Sequence, residues 1–408
     1  MKILYLNPAA QLGGAERSLL DIMSEVRTLR PDWELSLITG EDGPLLEAAR
    51  ELGVAARAIE YRSGLAGFGD SAAANSTGGA IETAKLVAGL GRAGIAALSH
   101  LPALRSAIRS GRPDIIHSNG FKAHILAAWA APASLPVIWH VRDYVGQRPA
   151  MSRLLAMHSR RCTLALTNSR SVADDLRAAC PGISRTVALY NGIDLGKFNP
   201  VGASTDLDML AALARPEKAV VRVGLVATMA HWKGHEIFLR ALAMIPRDSA
   251  VRGYVIGGGV YGTRGSEASL AELRRIAGGL SLNGNVGFTG FVDDPAAAIR
   301  SLDIVVHAST RPEPFGRVIA ESMACGKAVI VAAAGGALEI VTSGQDAVAI
   351  APGDAAALAD SIRQLACAAP LRSQLGAAAR KTAENRFDRA RMARELIPIY
   401  EELNAARN

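Results

Sequence analysis

The chain has 408 residues, with 45 Lys and Arg against 38 Asp and Glu, a formal net charge of +7 and a pI near 9.4. Half of the residues are hydrophobic and 20% are charged, which excludes a disordered chain, and the length exceeds what one core usually fills. Cys162, Cys180, Cys325 and Cys367 lie far apart without metal-binding spacing, which argues against a disulfide framework or a structural zinc.

The opening stretch, MKILYLNPAAQLGGAE, carries an apolar run too short for a signal peptide and reads as a first strand. Further short β-rich runs follow at Glu34–Thr39, Asp114–Ser118, Pro136–Val141, Thr163–Asn168 and Arg185–Tyr190. The uncharged stretch from Ala123 to Val141 contains Pro132, Pro136, His124 and His140, so it reads as helix, turn and strand rather than a membrane span. A cytoplasmic location is expected, with peripheral contact to the inner face of a membrane allowed. The second half repeats the pattern at Val220–Ala227, Val251–Ile256, Asn285–Thr289, Asp303–His307, Lys327–Val331 and Asp346–Ile350.

Apolar runs without alternation, each followed by a helical pattern, predict parallel sheets covered on both faces. The expected fold is therefore α/β, with two Rossmann-like, doubly wound domains facing an interdomain cleft. The predicted boundaries are 1–198 for the first domain, 199–218 for a linker without strand character, 219–385 for the second domain and 386–408 for a C-terminal helix. One excursion, Arg62 to Gly94, is rich in Gly and Ser and reads as a lid, an acceptor-binding element or a variable surface loop. In doubly wound folds ligands bind beyond the carboxyl ends of the strands, so functional motifs are expected just after strands.

Three motifs pass. Gly13-Gly14-Ala-Glu16-Arg17 follows the first strand and opens a helix, where free amides and the helix dipole suit a phosphate, although an ordinary strand-to-helix turn has the same look. Lys233, in His231-Trp-Lys-Gly-His235, enters a helix after the first strand of the second half and suits a diphosphate. Thr310-Arg-Pro-Glu313-Pro-Phe315-Gly316-Arg317 with Glu321 follows the strand ending at His307. Eight helical residues span roughly 12 Å, so the two glutamates suit opposite ends of one elongated ligand better than acid and base on one bond. His235-Glu236 lacks the second His of a zinc protease, and Asp206-Leu-Asp208 follows no strand, so no metal is expected.

His117 and His140 both end strands of the first half. From Arg142 to Arg170 six arginines (142, 148, 153, 160, 161 and 170) face one acid, Asp143, which allows an anionic acceptor or lipid headgroups. Little aromatic interleaving accompanies them, so nucleic acid is not an expected partner.

Taken together, GGAER, WHVRDY, TNSRSVADDL, YNGIDLGKF, WKGHE, GFVDD and EPFGRVIAE followed by Gly335-Gly336 resemble the family 4 (GT4) glycosyltransferases, retaining enzymes of the GT-B fold. The resemblance covers nearly the whole chain in order. It implies a nucleotide-sugar donor bound mostly by the second domain and a glycan, lipid-linked or small-molecule acceptor on the first. It implies that Glu321 holds the ribose hydroxyls, and that Glu313 with the amides of Phe315, Gly316 and Arg317 holds the transferred sugar and a phosphate. Lys233 and Gly14, with Gly13, would stabilise the leaving diphosphate, His140 would lie near the anomeric centre and Phe291 along the base. His117 and Arg142 are expected on the acceptor side. The family commonly has Arg five residues before the Lys; here that position is Thr228, and Arg142, Arg317 and His231 are candidate replacements. The resemblance implies hexosyl transfer without a metal or other cofactor, in polysaccharide or glycoconjugate assembly. A sugar-nucleotide epimerase and a non-catalytic nucleotide-sugar-binding protein are the alternatives.

Overall fold

The computed structural model describes residues 1–60, 100–246, 248–259 and 269–407, so the excursion at Arg62 to Gly94 lies outside the described residues. The chain divides into two units, Met1–Gly192 with Arg389–Asn408, and Ile193–Asp388.

The first unit runs β1 (Lys2–Asn7), α1 (Gly14–Leu29), β2 (Glu34–Thr39), α2 (Pro44–Glu51), β3 (Ala55–Ala58), α3 (helical over 100–111), β4 (Ile115–Asn119), α4 (Phe121–Ala130), β5 (Val137–Val141), α5 (Pro149–His158), β6 (Leu164–Thr167), α6 (Arg170–Ala179) and β7 (Thr186–Ala188). Its strands form one parallel sheet in the order β3-β2-β1-β4-β5-β6-β7. Along β1, Ile3 and Tyr5 face one hydrophobic core while Leu4 and Leu6 face another, so both sides of the sheet are covered. This explains the unbroken apolar runs in the sequence.

The second unit runs α7 (Leu207–Leu210), β8 (Val221–Val226), α8 (His235–Ala243), β9 (Val251–Ile256), α9 (Leu270–Gly279), β10 (Val286–Gly290), α10 (Pro295–Arg300), β11 (Ile304–His307), α11 (Arg317–Ala324), β12 (Ala328–Ala332), α12 (Ala337–Ile340), β13 (Val348–Ile350), α13 (Ala355–Cys367) and α14 (Ala369–Arg386). Its parallel sheet has the order β10-β9-β8-β11-β12-β13. The last helix, α15 (Arg389–Ala405), belongs to the first unit, where Met392, Leu396, Tyr400 and Leu403 recur on one helical face and join the core that contains Ile22 and Met23 of α1.

In both sheets the strand order reverses once, between β1 and β4 and between β8 and β11. At such a point successive loops leave in opposite directions and open a crevice above the strand ends.

The division between units falls at Gly192, and residues 199–218, expected as a linker, pack within the second unit. The anchor is Asp208 of α7, whose buried carboxylate accepts hydrogen bonds from Tyr254 (2.6 Å), Arg252 (2.7 Å) and Arg222 (3.0 Å). Burial pushes its pKa up, but Tyr254, Arg252 and Arg222 together hold it below the ordinary value. We expect Asp208→Ala to destabilise the second unit by roughly 3 kcal/mol, because Arg252 keeps its charge and loses its partner. Urea unfolding reads this directly, and an unchanged midpoint contradicts it.

Two histidines sit in the cores without charge. His124 stacks on Trp139 at 5.3 Å and donates from Nδ1 to Ser118 (2.7 Å), whose own proton goes to the Ile138 carbonyl. Burial lowers the pKa of His124 to about 3, and burial with the Lys233 charge lowers that of His235 to about 4. Both native values lie below the ordinary 6.5. The unfolded chain therefore takes up protons first as the pH falls, and stability present above pH 6.5 is lost progressively below it. The slope is about 1.4 kcal/mol per pH unit for each ring. Thermal unfolding should show a falling Tm from pH 7 to 5, with a smaller fall in His124→Phe; equal slopes in the two proteins contradict the assignment.

Candidate active site

In the second unit the reversal between β8 and β11 brings two chain segments together. After β8 the chain makes a 3₁₀ turn, His231–Lys233, and enters α8 through Gly234 at φ +77°. A side chain at Gly234 would place its Cβ 1.9 Å from the Ala308 carbonyl oxygen, so only glycine lets this turn lie against the end of β11. The Thr310 amide, 2.7 Å from the Trp232 carbonyl, ties the two segments.

After β11 the chain places Glu313 beneath the turn. Lys233 Nζ donates to both carboxylate oxygens, at 3.0 and 2.8 Å, and lies 4.0 Å from the centre of the Trp232 ring. Ser309 Oγ donates to Glu313 Oε2 at 3.0 Å, and His307 Nε2 lies 3.1 Å from the same oxygen. Glu313 is 7% exposed. Burial alone would push its proton affinity up, yet the Lys233 charge and the His307 hydrogen bond hold it far below the usual carboxylate range. Its backbone is fixed too, by amide bonds to the Ala334 carbonyl and from Gly336, so the Pro-flanked loop is docked on the Gly335-Gly336 turn.

Gly316, at φ +99°, then starts α11 with no side-chain cap. Elsewhere Ser169, Ser269 and Asp354 cap their helices with side-chain oxygens. Along α11, Arg317 Nε donates to Glu321 Oε1 at 2.8 Å, one turn on, and the Glu321 carboxylate is buried. Arg317, a candidate replacement for the cation missing at Thr228, is thus paired with Glu321 along α11, as Lys233 is with Glu313. Phe315 is buried edge-to-face against Phe387 at 5.8 Å, so its side chain is taken up by the core and only its backbone amide is left for the role expected of it. Phe291 follows Gly290 of β10 and is 61% exposed.

In the first unit the reversal between β1 and β4 gathers amides and histidines. Asn119 Nδ2 donates to Asn7 Oδ1 (2.5 Å), and Asn7 Nδ2 reaches Glu16 of α1 (3.4 Å). Arg142 donates to Asn119 (2.5 Å) and Asn191 (2.7 Å) and lies 3.3 Å from His140 Nδ1. His140 in turn lies 3.0 Å from His117 Nε2, and His117 Nδ1 is 2.6 Å from the Tyr400 hydroxyl. His117, expected on the acceptor side, has no exposed surface and both ring nitrogens engaged inside the unit, so it stands behind His140 rather than at a ligand. Arg142 also points inward. Gly13 precedes α1 without a side-chain cap, and Gly14 faces open space.

Of the arginines between 142 and 170, Arg148 pairs with Asp143 at 2.7 Å and Arg161 donates to the Ala131, Pro132 and Ala133 carbonyls. Arg153 and Arg160 are exposed. No helix among the described residues is long and apolar enough to cross a membrane, and among them no three His, Cys, Asp or Glu side chains form a metal-binding group.

Sequence reasoning assigned no role to His307, Ser309, Asn7, Asn119, Asn191 or Tyr400. His307 ends a strand as His117 and His140 nearly do, and the same rule applied to it points to Glu313. Tyr400 gave no local signal, because its role depends on α15 packing beside β4.

Two family models match in succession, one described as Glycosyltransferase Family 4 over residues 12–197 and one as Glycosyl transferases group 1 over residues 214–382. Among curated relatives, sulfoquinovosyl transferase SQD2 of Arabidopsis thaliana is 27% identical over 69% of this chain and 56% of its own length. A D-inositol 3-phosphate glycosyltransferase of Salinispora arenicola is 32% identical over 55% of this chain and 51% of its own. The chain spans about half the length of the curated relatives it matches. Among solved structures, Anabaena HepE in complex with UDP and glucose superposes with a TM-score of 0.77, at 26% identity, over 98% of this chain and 99% of that one. Sucrose-phosphate synthase from Thermosynechococcus elongatus, at 21% identity and a TM-score of 0.75, shares the fold over the full length of both chains. With its two Rossmann-like sheets and consecutive family matches, the chain belongs to the family 4 glycosyltransferases of the GT-B fold.

Proposed function

We propose that this chain transfers a sugar from a nucleoside-diphosphate donor to an acceptor hydroxyl, with retention of anomeric configuration and without a metal. The observation that carries the reading is the Lys233–Glu313 pair at the strand-order reversal of the second sheet, beside the uncapped start of α11. Departure of a nucleoside diphosphate builds negative charge on its phosphates. An ammonium held in place by a buried carboxylate, with helix amides nearby, meets that charge without reorganising. The cation that a divalent metal supplies in other transferases is here a fixed side chain.

Glu313 supports same-face attack rather than a covalent sugar intermediate. Its proton affinity is low, and Lys233, Ser309 and His307 already crowd its oxygens, so it is a weak nucleophile. On this reading a leaving phosphate oxygen takes the acceptor's proton, and Glu313 orients Lys233 and a sugar hydroxyl. Glu321, eight residues on, holds the ribose. The complexes of HepE with UDP and glucose and with UDP-glucose favour a UDP-sugar as the first donor to test. The acceptors named for the relatives differ, so the reading commits only to a hydroxyl acceptor in polysaccharide or glycoconjugate assembly.

Lys233→Ala should lower transfer by roughly 10²–10³-fold, the usual loss for one oxyanion-stabilising donor. Lys233→Met, which keeps the packing over Trp232, should do the same with unchanged circular dichroism. Near-normal turnover in either overturns the assignment. The rate should survive EDTA, and product NMR should show the donor's anomeric configuration; a loss restored by Mn²⁺, or inversion, contradicts the mechanism.

A further inference from the structure

We infer that Tyr400 and His117 are positioning residues that fix His140 as its Nε2–H tautomer, so that His140 meets its ligand as a hydrogen-bond donor to an oxygen of the sugar nucleotide. Proton counting along a buried chain fixes the tautomer. Arg142 Nη2 lies 3.3 Å from His140 Nδ1, and a guanidinium can only donate, so Nδ1 accepts and carries no proton. His117 Nε2, 3.0 Å from the same Nδ1, must then be the donor. A neutral His117 with its proton on Nε2 has an acceptor at Nδ1, and the Tyr400 hydroxyl, 2.6 Å away, donates to it. Reversing the chain would put a proton on His140 Nδ1 facing the Arg142 guanidinium.

The environment keeps the count intact. Burial first, and the Arg142 charge second, lower the pKa values of His117 and His140 well below the ordinary histidine value, so neither ring takes a second proton near neutrality. Burial and the neighbouring Tyr5 raise that of Tyr400, so it keeps its proton, and of the two acceptors in reach His117 Nδ1 at 2.6 Å is far better placed than the Tyr5 oxygen at 3.4 Å. His124 adds a further unfavourable interaction to each charged ring.

What remains is His140 Nε2–H. It is buried, lies near the carboxyl end of β5, and has no hydrogen-bond partner among the described residues. An unpaired buried donor is costly, and a ligand oxygen removes that cost on binding. Ordinary transfer chemistry at a sugar offers hydroxyl and phosphate oxygens, both acceptors. A histidine locked in this form cannot serve as a base through Nε2, which narrows its part to orienting the sugar or supporting developing charge. The tautomer stands on the geometry alone, whereas the ligand's identity rests on the proposed function.

The experiment is NMR of protein labelled with ¹⁵N in the histidine rings, assigned with His117→Gln and His140→Gln. In the free protein, Nε2 of both His117 and His140 should be protonated and both Nδ1 bare; a proton on His140 Nδ1 overturns the inference whether or not the chain is a transferase. Tyr400→Phe keeps the ring packing and removes the proton donor. It should shift the His117 and His140 ring signals and lower kcat about five- to tenfold, the scale of one neutral hydrogen bond, with KM little changed. Unchanged ring signals and kcat would remove Tyr400 as a positioning residue. Adding UDP-glucose should move the His140 Nε2–H signal and leave the tautomer as it was; no response in protein that binds UDP-glucose, measured by calorimetry, overturns the assigned ligand contact.

Discussion

A carboxylate with almost no access to water, Glu313, stays ionised because Lys233 lies across both of its oxygens and His307 and Ser309 approach one of them. Either charge of the pair left there alone would be costly. The pair therefore dictates its surroundings: a glycine at 234 so that the turn bearing Lys233 can touch the end of β11, prolines on both sides of Glu313, and a backbone docked on the Gly335-Gly336 turn. Around it the second sheet needs only to supply two strand ends at its point of reversal.

The first unit solves a related problem with neutral groups. Asn7, Asn119 and Asn191 absorb the charge of Arg142 at the reversal of its sheet, while Tyr400 and the two histidines form a directed line behind it. Both units thus place fixed donors near the carboxyl ends of parallel strands, one through an ion pair and one through a chain of oriented dipoles. The difference matters for pH. The neutral rings favour the native state above the ordinary histidine value of 6.5 and the carboxylate above its ordinary 4.5, so acid acts on both in the same direction but reaches the rings at higher pH.

Much of the fold was legible in the sequence, because buried parallel strands must be apolar on both faces and these stand out between helices. β3 escaped, since Ala-Ala-Arg-Ala at a sheet edge needs no β-branched side chains and alternates only weakly in burial. Residues 199–218, expected as a linker because they lack strand character, hold Asp208, a buried anchor whose partners come from β8 and β9. At the candidate site, Lys233 and Glu313 stood out by their spacing from strands and prolines. Their pairing did not, because nothing local records that two loops eighty residues apart share one point in space. Tyr400 was invisible for the same reason, being the far end of a contact made by tertiary packing.

The central claim is that the Lys233–Glu313 pair and the start of α11 form the seat of a diphosphate. A crystal structure of the chain with UDP tests it most directly. Phosphate oxygens should lie within hydrogen-bond distance of Lys233 Nζ and of the first amides of α11, with the ribose hydroxyls on Glu321. UDP bound away from Lys233, with the Lys233–Glu313 pair untouched, would contradict it.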